Sequence, residues 1–400
     1  MFNKIKLGFL AGILSVSGVL AQYYPQNARI QSLGGTFILE DITDVMRYPS
    51  FIKKYSDDIQ VTFTSPIIAI KSLGENMQLG IIANRGLMLS SSFANDFYNV
   101  SKSRLATYAS GVDLTGQYIP HILFGIGMSG FNLGFDVFLE HARATSDVDS
   151  VGKEMQSQSA AIYNPGFIAS AQFSADKFLI NGKIGLGFPS IHGSNKTTTP
   201  VDTEIVVGSD KGIFFEAGAE LGVPVSGLQL KAGFDLILEY YAFSINDLMV
   251  SPDYSTNRFS IYAGVVDDIF EKGTWSAMYN FQIRHHGEDE TSPITDERYL
   301  LHVFSGGLEN SWDSVWIFSS FIARGGFKWN IETPSRSSQT GDLKTSSKSR
   351  TTFSAVIPTI GLGVTKGAFE LDLNLNLIPG GWDKLITGPG VMTVTAGLKF

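Results

Sequence analysis

The sequence predicts an all-β protein, a transmembrane antiparallel β-barrel of 14–16 strands. Three observations carry that expectation. Apolar residues recur at every second position in runs long enough to cross a bilayer. Short connections alternate with long polar ones. The chain opens on a basic and then apolar leader, and it contains no cysteine.

The leader comes first. Lys4 and Lys6 are basic, an apolar run follows from Leu7 to Leu20, and Val19 and Ala21 are small residues ahead of a cut between Ala21 and Gln22. This pattern predicts a cleaved secretory signal peptide over residues 1–21, with an uncleaved anchor helix as the competing reading. Loss of Lys4 and Lys6 takes the net charge from −8 to −10, which disfavours nucleic acid as a partner. An exported chain without cysteine takes no stability from disulfides, and a closed sheet is one alternative source of rigidity. The 42 Gly, 29 Phe and 14 Tyr favour strands. Beyond the leader no stretch reaches the ~18 apolar residues of a membrane helix. Composition alone fits a large soluble β protein equally well.

The alternation separates the two. Leu228, Leu230, Ala232, Phe234, Leu236, Leu238 and Tyr240 share one face, opposite Gln229, Lys231, Asp235, Glu239 and Tyr241. Phe131, Leu133, Phe135, Val137 and Leu139 oppose Asn132, Asp136 and Glu140. Trp275, Ala277, Tyr279, Phe281 and Ile283 oppose Ser276, Asn280, Gln282 and Arg284. Residues 315–329 place Arg324 and Lys328 on a polar side, and Phe369, Leu371, Leu373, Leu375 and Leu377 oppose Glu370 and Asp372. Such faces run about nine to eleven residues or more, the length of a tilted membrane strand. Soluble strands average about five or six. Lipid is therefore expected outside and a polar lumen inside. The expected lumen-facing charges are Asp136, Glu140, Glu216, Glu220, Lys231, Asp235, Glu239, Arg284, Arg324, Lys328, Glu370 and Asp372. An unpaired charge in a narrow lumen is costly. Glu216, Glu220, Asp235 and Glu239 are therefore expected to pair with Lys231, Arg284 or Arg324. Tyr240, Tyr241 and Phe243 fit one interfacial girdle, and Trp275, Trp312 and Trp316 the other.

Short links at 72–76, 130, 175–177, 223–227, 271–273, 311–314 and 366–367 read as periplasmic turns. Long polar links at 145–162, 189–210, 244–257, 287–296 and 331–349 read as surface loops. Fifteen strands are expected: 59–70, 76–87, 121–129, 132–144, 163–174, 178–188, 211–222, 227–241, 257–267, 273–286, 297–309, 314–330, 350–364, 367–378 and 391–400. Bacterial single-chain barrels have an even number. Another strand at 102–116 gives sixteen, and removal of one N-terminal strand gives fourteen. The stretch 88–120 is the least readable, with a short helix possible near Phe93 to Val100.

The last strand alternates Met392, Val394, Ala396, Leu398 and Phe400 against Thr393, Thr395, Gly397 and Lys399. It resembles the final strand of bacterial outer-membrane β-barrels. That resemblance implies an assembly signal at Leu398 and Phe400, with the barrel assembly machinery and outer-membrane lipid as partners.

Residues 22–58 do not alternate. Ala28, Arg29, Leu33, Gly34 and Gly35, followed by Glu40, Asp41, Thr43 and Pro49, resemble the N-terminal segment of the outer-membrane long-chain fatty-acid transporter superfamily. That superfamily includes barrels associated with type IX secretion. The chain departs from the family's aromatic–Asn–Pro–Ala run, carrying Arg47, Tyr48, Pro49 and Ser50. The resemblance implies a plug segment, with Leu33, Gly34, Gly35, Asp41 and Pro49 as its marker residues and a short helix from Ile42 to Arg47. The apolar Phe37, Ile38, Leu39, Ile42, Val45 and Met46 would otherwise meet water. A loosely ordered periplasmic leader is the alternative. The expected division is thus a signal peptide at 1–21, a plug at 22–58 and a barrel at 59–400.

No nucleophile elbow, zinc signature or phosphate loop occurs, so neither an enzyme nor a cofactor is expected. His285 and His286, followed by Glu288, Asp289 and Glu290, invite a metal reading, but neighbours on a strand point to opposite faces. No metal site is expected there. The family resemblance implies porin-like uptake or passage of a small, hydrophobic molecule. The alternative is a non-transporting barrel that serves as a secretion accessory or as a surface-binding scaffold through its long loops.

Overall fold

The computed structural model describes residues 27–62, 66–83, 116–117, 121–150, 153–175, 177–197, 203–209, 212–242, 244–245, 253–269, 271–288, 294–340, 343–348, 351–353, 356–377 and 392–400. The signal-peptide expectation and the helix expected near Phe93 lie outside them.

Sixteen strands close into one antiparallel ring. They are β1 (Asp58–Thr62), β2 (Ile67–Ser72), β3 (Met77–Ala83), β4 (His121–Met128), β5 (Phe131–Ser150), β6 (Lys153–Ala175), β7 (Phe178–Gly187) and β8 (Ile213–Val225). The ring continues with β9 (Leu228–Ala242), β10 (Asp253–Ile269), β11 (Gly273–Glu288), β12 (Ile294–Asp313), β13 (Ser320–Thr340), β14 (Ile357–Lys366), β15 (Phe369–Asn376) and β16 (Met392–Lys399). Each pairs with its neighbours in sequence. The seam closes where β1 pairs with β16, Ile59 opposite Leu398 and Val61 opposite Ala396. Closure leaves no strand edge unsatisfied within the bilayer.

The expected count is resolved at sixteen; of the expected strand at 102–116 only Gly116 lies among the described residues. The expected strand 59–70 is two strands, β1 and β2, paired with Asp58 opposite Ile70. Pro66 lies at the joint, where its missing N–H suits a turn and not a ladder, and its carbonyl accepts from Thr62 N at 3.3 Å. A second boundary moves. The expected strand 314–330 begins only at Ser320, because Ser314 and Trp316 take positive φ of 54° and 62° in a turn. The expected surface loops are largely sheet. Residues 145–162 form a ladder from Thr145 opposite Ser159 to Ser150 opposite Lys153. Ser190–Thr197 pairs with Thr203–Ser209, and Leu343–Lys348 pairs with the end of β13. Above the bilayer neither face needs to be apolar, so the ladder continues without the alternation that marks it in sequence.

The two faces of the ring differ in character. Phe135, Val137, Leu139, Leu230, Phe234, Leu238, Phe327, Phe369 and Leu371 are exposed on the outside. Asp136, Lys231, Asp235, Glu239, Arg324 and Asp372 are buried on the inside. A closed ring with an apolar exterior and a polar interior is a transmembrane barrel of the bacterial outer membrane. Of the expected girdle, Tyr240 and Trp312 are exposed on the outer face and Trp316 stands free in its turn. The side chains of Tyr241 and Phe243 lie outside the described residues.

Candidate functional site

Inside the ring lies the segment of residues 27–56. Asn27 caps helix α1 (Ala28–Ser32), its side chain accepting from Ile30 N at 3.0 Å. Gly34 and Gly35 then turn the chain at positive φ of 72° and 75°. Asp41 caps a 3₁₀ helix, Ile42–Met46, in a reciprocal box with Asp44. Pro49 starts a second, Pro49–Tyr55.

Wall glycines let this backbone approach. A Cβ on Gly326 would lie 2.5 Å from Gly34 N, and one on Gly134 would lie 2.1 Å from Ser50 N. Ile42, Val45, Met46, Tyr48, Phe51 and Ile52 form one apolar cluster with the inward Ile68, Ile70, Ile82 and Leu123 of β2, β3 and β4. On β2 and β3 the outward Ile67 and Ile81 are exposed, so both faces are apolar. An inner face as apolar as the outer one along this arc was the available sequence signal that something covers it. The five marker residues occupy the segment as follows. Leu33 packs on Gly307, Gly34 crosses Phe327, Gly35 completes the turn, Asp41 caps and Pro49 lies against Gly134.

The charges of segment and wall form three groups. Arg47 reaches Glu220 at 3.1 Å and Asp235 at 3.2 Å, with its guanidinium over the rings of Phe37, Tyr48 and Tyr262 at 4.7, 5.0 and 4.5 Å. Burial alone would lower its pKa. Tyr262, Asp235, Tyr48 and Glu220 outweigh that and hold it well above the ordinary value. Lys183 joins the same group through Glu216 and, at 3.0 Å, Asp235. Tyr262 Oη and Asn181 Nδ2 donate to Glu220 at 2.9 and 3.2 Å. In the second group Arg29 reaches Glu309 at 3.0 Å, and Arg324 holds Glu309 and Asp372 together. Asn27 Nδ2 donates to both oxygens of Asp41, at 2.7 and 2.8 Å. In the third, Lys231 Nζ donates to the Ile38 carbonyl at 2.8 Å and lies 3.8 Å from Glu40, which also meets Lys54. Burial, with Lys231 and Arg29 nearby, lowers Lys54 to about 8. Burial raises Asp44 to about 7.

These partners differ from those expected. Glu216, Glu220 and Asp235 pair with Lys183 and Arg47, neither of which was among the expected partners. Lys231 turns to the inner segment, Arg324 to Glu309 and Asp372, and Arg284 donates to Gln282 at 3.4 Å. Register explains the difference. Gly218 stands opposite Asp235 on one side and Lys183 on the other, so Lys183 reaches across a position with no side chain. Asp136 meets His121 at 3.0 Å. Glu239 is buried, and Lys328 and Glu370 are half-buried on the inner face. The side chain of Glu140 lies outside the described residues. Leu398 and Phe400 are exposed on the outer face, and the Phe400 N–H donates to the Asp57 carbonyl at 3.0 Å. His285 pairs with Asp296 at 3.0 Å.

Two cavities flank the inner segment near the periplasmic turns. One, of about 400 Å³, is bounded by Phe51, Lys54, Leu179, Pro224, Gln229 and Glu40. The other, of about 480 Å³, is bounded by Arg29, Asp41, Tyr55, Glu309, Arg324 and again Glu40.

No family model matches the chain, and no curated protein matches it. Among solved structures the chain is similar to the toluene transporter TbuX of Ralstonia pickettii, at 11% identity over 95% of this chain and 99% of that one, with a TM-score of 0.42. It is similar to the toluene transporter TodX of P. putida, at 9% identity over 95% and 99%, with a TM-score of 0.38. OmpT, an outer membrane protein of Vibrio cholerae, is similar at 7% identity over 86% and 95%, with a TM-score of 0.30.

Proposed function

We propose that this outer-membrane barrel passes a small hydrophobic molecule and that residues 27–56 act as its plug. The observation that carries the reading is the seat of that segment. It is held to the inner wall by ion pairs, hydrogen bonds and apolar clusters, with no covalent tie. Inward Met278, Tyr262, Leu301 and Val303 add apolar surface to the inner wall, with Ile38 against Met278 and Tyr262. A charged lumen and an apolar cargo are compatible here because the wall charges are largely spent on one another and on the segment. The reading assigns no catalysis to the chain.

The test is deletion of residues 24–49. The shortened barrel should refold, with single-channel conductance in planar bilayers well above that of the parent. Parent barrels in lipopolysaccharide-containing vesicles should admit a hydrophobic fluorophore faster than protein-free vesicles. Unchanged conductance and unchanged uptake would overturn the reading. The scaffold reading would then gain, since β5 and β6 extend far above the bilayer as a surface hairpin.

A further inference from the structure

We infer that the plug is two half-plugs and that it opens along the seam between them, without leaving the barrel. This rests on the plug reading above. Helix α1 packs on β13, β14, β15 and β16, where Ala28 N donates to Thr395 Oγ1 at 3.0 Å and Thr359 Oγ1 donates to the Ser32 carbonyl at 2.8 Å. The two 3₁₀ helices take a different arc. They pack on each other, and the second packs on β2 to β6, where Ser50 N donates to Ser170 Oγ at 2.7 Å, while Arg47 ties the first to β8 and β9. Each half is thus bound to its own arc of wall.

Across the seam the bonds are few and concentrated. With the seam between Glu40 and Asp41, Glu40 meets Lys54, Asn27 donates to both oxygens of Asp41, Arg29 lies 3.8 Å from Asp41, and the Arg47 guanidinium lies 4.7 Å from the Phe37 ring centre. The Glu40–Lys54 pair is also the most exposed of the plug's ion pairs, its side chains 36% and 42% accessible, against 5% for Arg47. Exposed pairs contribute little to stability, so this one parts at small cost. Glu40 bounds both cavities, one on either side of it. Parting Glu40 from Lys54 joins them into one space running between the halves. The wall anchors on either side need not move.

Thiol pinning tests this, and the chain has no cysteine of its own. Ser50→Cys with Ser170→Cys pins one half to the wall, and Ser32→Cys with Thr359→Cys pins the other. Glu40→Cys with Lys54→Cys, joined by a short bismaleimide, locks the seam. Doubly pinned barrels should admit the fluorophore at the parent's rate, whereas the locked seam should abolish uptake. Glu40→Gln should raise uptake up to about fivefold. Loss of uptake on wall pinning would overturn the seam and favour ejection of the whole plug. Unaltered uptake with the seam locked would overturn it as well. The deletion of residues 24–49 keeps the two readings apart. No rise in conductance there defeats passage itself, and a rise there with a failed pinning result defeats only the seam.

Discussion

Arg47 and Asp235, 188 residues apart in the chain, meet at 3.2 Å with side chains only 5% and 11% exposed. The first belongs to the inner segment and the second to the middle of β9. A charge pair this dry is a clamp whose strength lies in what its removal leaves behind. Truncating one partner strands the other in a medium that solvates it poorly.

Arg47→Ala should therefore destabilise the inner segment by about 3–5 kcal/mol. Arg47→Lys keeps the charge but loses the fork that reaches Glu220 and Asp235 together, so its effect should be intermediate. Hydrogen exchange over residues 41–52 reports the change. Alanine and lysine variants that exchange as slowly as the parent would show that the clamp carries no weight.

Leu236→Arg should cost about 2–4 kcal/mol, because it places a charge against lipid near the centre of β9. Asp235→Asn, one residue away, should fold nearly as well as the parent, since Glu216 remains for Lys183 and Glu220 for Arg47. Urea titration of refolding into lipid vesicles ranks the two. The reverse ranking would invert the inside and outside of this strand.

The inner segment should loosen as pH rises. Burial lifts Asp44 from 3.8 to about 7; its bond from Asp41 N and the Lys231 charge oppose the shift, while Asp41 and Glu220 reinforce it. The folded state therefore holds this proton more tightly than the unfolded state does. The contribution is complete below about 4 and is lost as pH passes through about 7. Amide protection around Thr43 should fall between those limits, and Asp44→Asn should flatten the profile. A profile in Asp44→Asn identical to the parent's would assign the titration elsewhere.

Removal of Phe400 should lower the amount of barrel assembled in cells while leaving refolding in detergent nearly unchanged. The ring is exposed on the outer face, with Lys71 Nζ 4.6 Å from its centre. Its loss costs the fold little, but a machinery that reads the terminal aromatic would miss it. Equal surface amounts of the two proteins would remove the assembly-signal expectation.

Which face of a strand meets lipid was readable wherever lipid lay on one side and a polar lumen on the other, as along β9 and β15. The signal faded where either condition lapsed. On β2 the inward Ile68 and Ile70 are as apolar as the outward Ile67, because the inner segment covers them, and without a polar inner face the joint at Pro66 was read through as one strand. Above the bilayer the ladders of β5 and β6 lose their apolar side and pass for loops.

The side on which a residue points follows from local geometry. Successive side chains alternate across any strand, and the contrast between hydrocarbon and water sorts them whatever the rest of the chain does. Thus Asp235 faces inward on the strength of its immediate neighbours. Its partner is another matter. Lys183 reaches it only because of the register of β7, β8 and β9 and because Gly218 between them has no side chain. Arg47 reaches it only because the closed ring leaves room for a segment that packs on Ile68, Ile82 and Leu123 from within. Those outcomes depend on many weak contacts between residues far apart in the chain, summed over the whole ring, and no short stretch of sequence contains that sum.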